Sequence, residues 1–73
     1  MSQSAEHIEI VLNGAPHSVA ADTSIADLLQ RFDLNRSGVA VAVGGVVVPR
    51  SQHRHARLEA GQRVEVVQAV GGG

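Results

Sequence analysis

The sequence contains no cysteine and no lysine, and both absences exclude kinds of chemistry. Without cysteine there can be no disulfide, thiolate zinc site, iron–sulfur cluster or cysteine nucleophile. All six cationic residues are arginines, so the chain offers no side-chain amine for a Schiff base or an isopeptide bond. Covalent chemistry on a side-chain thiol or amine is therefore excluded.

Aromatic residues and unbalanced charge are also nearly missing. Phe32 is the only aromatic residue, and the formal net charge is −1. Since there is neither a basic stripe nor a set of stacking side chains, we expect no nucleic-acid partner. No apolar run approaches the roughly 20 residues of a membrane span, and the first residues lack a signal-peptide pattern. We therefore expect a cytoplasmic protein that binds no membrane.

What remains is a short chain with an aliphatic core. Its 73 residues are 44% hydrophobic, which is enough for one small domain. We predict a flexible N-terminal arm at residues 1–7, a folded domain at residues 8–68 and a flexible C-terminal tail at residues 69–73.

The first half of the domain reads as a hairpin followed by a helix. Residues 7–12 alternate apolar and polar residues as a strand does, Asn13-Gly14 is a strong two-residue turn signal, and residues 17–19 return as a second strand. Thr23 or Ser24 is suited to cap a helix, and Ser24 with Asp27 has the spacing of a capping box, with Asp in place of Glu or Gln. That helix should end near residues 33–35, and its apolar stripe consists of Ile25, Leu28, Leu29 and Phe32.

The second half reads as another hairpin and a last strand. Residues 39–43 and 46–48 are valine-rich and flank the turn Gly44-Gly45. Residues 50–57 have no clear period and predict an irregular crossover, which Leu58 anchors in the core. Residues 63–68 form the last strand. The order β-β-α-β-β-β predicts an α+β domain in which a mixed sheet surrounds one helix, as in the ubiquitin-like β-grasp fold.

The chain ends in Gly71-Gly72-Gly73, directly after the last strand. Glycine is only about 7% of average composition, so three in succession at a terminus are unexpected by chance. An inert frayed end is one interpretation. The other is a thread without side chains that carries a carboxylate into the active site of another protein.

The sequence resembles the ThiS family of sulfur carriers in thiamine thiazole synthesis. The similarity extends from about residue 8 to residue 73, and it is most specific in Val48-Pro49-Arg50 and in the run from Val64 to Gly73. Weaker matches are the segments from Val11 to Gly14, from Thr23 to Leu29 and from Val39 to Val43. The second hairpin departs from the family, which often has Asn-Gly where this chain has Gly44-Gly45.

The resemblance implies a protein cosubstrate, not an enzyme. An E1-like, ThiF-type adenylyltransferase would adenylate the Gly73 carboxylate with ATP, which the partner and not this chain binds. A persulfide donor would then convert it to a thiocarboxylate, and a ThiG-type thiazole synthase would accept the sulfur. Gly72 and Gly73 would form the working diglycine. Two alternatives remain at this point: a sulfur carrier of molybdopterin synthesis, and a β-grasp binding module without covalent chemistry.

Other candidate residues have simpler interpretations. His53 and His55 could suggest a metal site, but their spacing without acidic or cysteine partners favours a solvated loop, so we expect no bound metal. His17 is in phase with Val19 and is interpreted as a structural histidine. Surplus valines on the outer face of the sheet, such as Val47 and Val67, could form a patch for a partner.

Overall fold

The computed structural model describes residues 6–68 and contains the predicted elements in the predicted order. The tail at residues 69–73 and most of the arm lie outside the described residues, and His7, assigned above to the arm, is the first residue of a strand. The elements are β1 (His7–Leu12), β2 (Ala15–Ala20), α1 (Ile25–Arg31), β3 (Val39–Val43), β4 (Val46–Val48), a 3-10 turn (Arg50–Gln52) and β5 (Arg63–Gln68).

The strands form one mixed sheet in the order β2-β1-β5-β3-β4. The last strand of the chain, β5, therefore occupies the centre of the sheet. It runs parallel to β1 and antiparallel to β3. The prediction of a mixed sheet with one helix is confirmed, and the bounds of β5 agree with those predicted.

The core lies between one face of the sheet and α1. The fully buried side chains come from four strands and the helix, and Leu58 is also buried, as predicted for the anchor of the crossover. The nine core residues are Ile10, Leu12, Val19, Ile25, Leu28, Leu29, Val41, Leu58 and Val64. Because all of them are aliphatic, the core depends on branched side chains and contains no aromatic ring.

The helix begins as predicted and ends sooner. Ser24 Oγ accepts a hydrogen bond from Asp27 N at 3.1 Å, and the Asp27 carboxylate accepts one from Ser24 N at 3.3 Å, which completes a capping box. The predicted end near residues 33–35 is wrong, because α1 ends at Arg31 and Asp33 has a left-handed backbone with a φ of 59°. Within residues 6–68, no helix is long and apolar enough to cross a membrane.

The crossover is more ordered than the sequence suggested. Residues 50–52 form a 3-10 turn, and His53, which follows it, is only 7% exposed. The His53 ring Nε2 lies 3.1 Å from Val48 O, and the carbonyl oxygen of His53 accepts a hydrogen bond from Ala26 N at 2.9 Å. The prediction of a solvated His53 is therefore wrong: this residue fastens the crossover to both β4 and α1.

Candidate functional site

The predicted tail follows directly after the end of β5 in the sequence. Gln68 is the last described residue of the strand and pairs with Val39, the first residue of β3. Gly72 and Gly73, the predicted site residues, lie outside the described residues. The described part of the candidate site therefore consists of the residues that hold and surround the end of β5.

The two neighbours of β5 hold it in different ways. On one side, five residue pairs join it to β3, from Val43 opposite Val64 to Val39 opposite Gln68. On the other side, only two pairs join it to β1, and these involve Val11 and Leu12. The pairs with β3 thus support β5 from Val64 to its end, whereas the β1 ladder covers only its beginning.

The side chain of Asn13 extends the shorter ladder. Asn13 N donates to Val64 O at 2.9 Å, and Asn13 Oδ1 accepts from Val66 N at 2.8 Å. The side-chain carbonyl therefore occupies the place that a backbone carbonyl of a longer β1 would take. Asn13 fixes β5 two residues before the last described position.

An apolar patch lies beside the end of β5, on the face of the sheet opposite the helix. In the sheet register, Val67 is opposite Ala40 and Val47 is opposite Ala42, so the four side chains share one face across three strands. Val67 and Val47 are 62% and 66% exposed. We call these four residues the valine patch; the predicted exposure of its two valines is confirmed.

Charged residues border the valine patch. Glu65 is opposite Ala42, and Arg63 alternates onto the same face two residues earlier in β5. Both are exposed. An apolar centre with a charged rim is the arrangement found in protein–protein interfaces.

His53 and His55, considered above as metal ligands, do not come together as a site. His53 is buried and its ring Nε2 is bonded to a backbone carbonyl, while His55 is exposed. No group of three or more potential ligand residues that could hold a metal ion occurs within residues 6–68. His17 is half-buried, and its ring lies edge-on to Phe32 with the centroids 4.9 Å apart, which agrees with a structural role.

Two features of the structure have no counterpart among the sequence predictions. Asn13 was identified as a turn residue, but its bond to Val66 joins positions 53 residues apart, and local spacing carries no signal for it. The burial of His53 also depends on distant contacts. No local pattern in the sequence indicates that burial.

Comparisons with known proteins agree with this fold. The sequence model of the ThiS family matches residues 8–73. The sulfur carrier protein ThiS of Escherichia coli (strain K12) is 27% identical over 66 residues, which are 90% of this chain and 100% of that protein. A crystal structure of the thiamine biosynthesis protein ThiS from Geobacter metallireducens matches with a TM-score of 0.78 and 26% identity, covering 90% of this chain and 100% of that one.

A third similarity is to part of a larger protein. Thiazole synthase of Magnetococcus marinus is 35% identical over 66 residues, which are 90% of this chain but only 20% of that protein. A segment similar to this chain is thus present within a protein named as a thiazole synthase.

Proposed function

The chain belongs to the ThiS family and is a sulfur carrier of thiamine biosynthesis, and on that premise we propose that it carries the sulfur as a thiocarboxylate on Gly73. The observation that supports this most directly is that the family match continues through residue 73, beyond the end of β5 at Gln68. Five residues can span at most about 17 Å when extended. The carboxylate could then enter a partner's active site while the folded body stays outside.

Loading requires three displacements and a partner that binds ATP. A carboxylate oxygen of Gly73 attacks the α-phosphorus of ATP, and pyrophosphate leaves. The terminal sulfur of a protein persulfide then attacks the acyl carbon, and AMP leaves. A thiol finally cleaves the S–S bond, so that the sulfur stays on Gly73. Since the chain has no lysine and no phosphate-binding glycine loop, an E1-like adenylating enzyme supplies the positioning and the charge neutralisation.

The acceptor of the sulfur in this proposal is thiazole synthase. The similarity to part of the thiazole synthase of Magnetococcus marinus supports this choice. It favours the thiazole acceptor over the alternative of molybdopterin synthesis.

Docking of the body is assigned to the valine patch. It adjoins the end of β5, so a partner that receives the residues after Gln68 meets Val67 first. The apolar area of Val47 and Val67 would be removed from water on binding, at roughly 25 cal/mol per Å² before the costs of association.

The decisive experiment is the intact mass of the chain after incubation with an active adenylating enzyme, ATP and a persulfide donor. We expect the increase that corresponds to replacement of one oxygen by sulfur, located at Gly73 by fragmentation. A chain with one alanine added after Gly73 is the control and should stay unchanged. An unchanged mass of the parent chain, with a partner that loads the Escherichia coli carrier, would contradict the proposal.

Two matched variants in β4 test the role of the valine patch. Val47→Glu places a charge in the patch, while Val46→Glu places it one residue earlier, on the other face, at an almost equal exposure of 67%. We expect Val47→Glu to slow loading at least about tenfold, which corresponds to about 1.4 kcal/mol of lost docking energy. Val46→Glu should load like the parent. Equal rates for the two variants would rule out the patch as the docking surface.

A further inference from the structure

A cavity of about 270 Å³ lies on the helix side of the domain, away from the valine patch. It is bounded by α1, by the loop that leads into β3 and by the turn after β4. Ala26, Leu29 and Val39 give it an apolar lining. Leu29 also belongs to the core, so this lining is part of the packed body of the protein.

Three arginines surround the cavity: Arg36, Arg50 and Arg54. They are half of the cations of a chain whose net charge is −1, and none of the nine lining residues is acidic. Gln30 and Asn35 add two side-chain amides that can donate hydrogen bonds. The polar groups at this cavity thus provide many donors and a concentrated positive charge.

These arginines are available for a ligand. Within residues 6–68 the one ion pair joins Arg36 to Asp33 at 3.5 Å, and their side chains are 60% and 86% exposed, so solvent screens this pair strongly. Arg54 also borders a shallow depression lined by Asp22 and Asp27, but it forms no ion pair there among the described residues.

The backbone that carries Arg50 and Arg54 is held in place by the buried His53 between them. His53 N donates to Arg50 O at 3.1 Å, and the ring and carbonyl of His53 tie the turn to β4 and α1. Arg50 and Arg54 therefore project from a backbone that is held on both sides. A site whose backbone is already fixed loses less conformational entropy on binding a ligand.

From these observations we propose that the cavity binds an oxyanion, a carboxylate or a phosphate, that is attached to a small apolar body. The guanidinium groups of Arg36, Arg50 and Arg54 bind the oxyanion, since planar guanidinium forks match carboxylate and phosphate oxygens. Leu29 and Val39 contact the apolar part. The site is independent of sulfur transfer, because none of its groups takes part in the chemistry at Gly73.

Two kinds of molecule could supply such an oxyanion: an acidic segment of a partner protein, or a free phosphate ester. Val39 is opposite Gln68, so the cavity lies near the end of β5 and within reach of a protein that holds the tail. A phosphate ester would reach the same arginines from solution.

The test is a titration of the full chain at low ionic strength, followed by NMR of the arginine Nε–H groups and the methyl groups of Leu29 and Val39. The probes are phenyl phosphate, inorganic phosphate and the peptide acetyl-Glu-Leu-Glu-amide. We expect saturable shifts at these residues with a Kd on the order of 1 mM, and tighter binding of phenyl phosphate than of inorganic phosphate, because only the former has an apolar body.

Matched double variants distinguish binding at the cavity from nonspecific attraction to the charge of the protein. Arg50→Gln combined with Arg54→Gln should weaken binding at least about tenfold, whereas Arg31→Gln combined with Arg63→Gln removes the same charge away from the cavity and should leave binding unchanged. If the peptide binds more tightly than phenyl phosphate, the source of the oxyanion is a protein segment. If phenyl phosphate binds more tightly than the peptide, the source is a free phosphate ester. Shifts that do not saturate, or equal losses in both double variants, would overturn the proposal.

Discussion

The two hairpins of this domain have the same turn geometry but contribute differently to the central strand. Asn13 and Gly14 have φ values of 50° and 84°, and Gly44 and Gly45 have φ values of 59° and 85°. In both turns the first residue donates its N–H to β5: Asn13 to Val64 O and Gly44 to Arg63 O, each at 2.9 Å. The two turns therefore hold consecutive residues of β5 from opposite sides.

The difference lies in the side chain at the first turn position. Asn13 adds a second bond to β5, at Val66, whereas Gly44 has no side chain with which to do so. The second hairpin does not need one, because β3 already pairs with β5 as far as Gln68. The first turn residue thus has two roles: it adopts a positive φ, and its side chain can bind a backbone N–H group of β5 that the neighbouring ladder leaves unpaired.

Asn13→Ala should produce the largest effect in this comparison. Alanine is strained at a positive φ and provides no acceptor for Val66 N, so we expect a loss of about 2–3 kcal/mol in the free energy of unfolding. Urea denaturation monitored by circular dichroism measures it. A loss below that of Gly45→Ala would show that the side-chain bond contributes nothing.

Gly45→Ala tests the other turn and should cost less. A Cβ at this position meets nothing within 4 Å, so only the backbone strain at a φ of 85° remains. We expect a loss of about 1–2 kcal/mol in the same urea experiment. Gly61→Ala, at a φ of 82° and also without steric contacts, is the matched control outside the hairpins and should lose a similar amount.

Asn13→Gly isolates the side-chain bond. Glycine accepts the positive φ, so the remaining cost is the hydrogen bond to Val66, about 1 kcal/mol. Amide hydrogen exchange at Val66 should accelerate, while exchange of the amide of residue 13, which donates to Val64 O, should change little. If Asn13→Gly were neutral and Val66 kept its protection, the assigned role of Oδ1 would be wrong.

Gly44→Asn should have the smallest effect. Asparagine tolerates a φ of 59°, and β3 already pairs with β5 from Val64 to Gln68, so we expect a stability within about 0.5 kcal/mol of the parent. The same urea experiment checks this. A gain comparable to the loss in Asn13→Gly would mean that the two turns are equivalent after all.

Features set by neighbouring residues were predictable from the sequence. The capping box of Ser24 and Asp27, the apolar stripe of α1 and the turn at Asn13-Gly14 depend on spacings of four residues or fewer, and the structure contains all three. The order of the elements then indicated the fold, because a helix between two hairpins leaves few arrangements of a mixed sheet.

Features set by distant residues were not predictable. The burial of His53 depends on its contact with Ala26 of α1, and the cavity is lined by Arg36 and Arg50 from segments that have no common period. The helix end was misplaced because Phe32 continues the apolar stripe although the backbone has already left the helix. For the candidate site, the sequence indicated the glycine end and the exposed valines, but not the support that Asn13 gives to β5.

The central position of β5 has a mechanical consequence. Ladder hydrogen bonds lie nearly perpendicular to an antiparallel pair of strands. A pull on Gln68 along the strand axis therefore loads the bonds to β3 in shear, all at the same time, rather than peeling them apart one after another. A partner enzyme that grips the residues after Gln68 could draw on them without unravelling the domain, whereas the same pull on an edge strand such as β4 would meet only one neighbour.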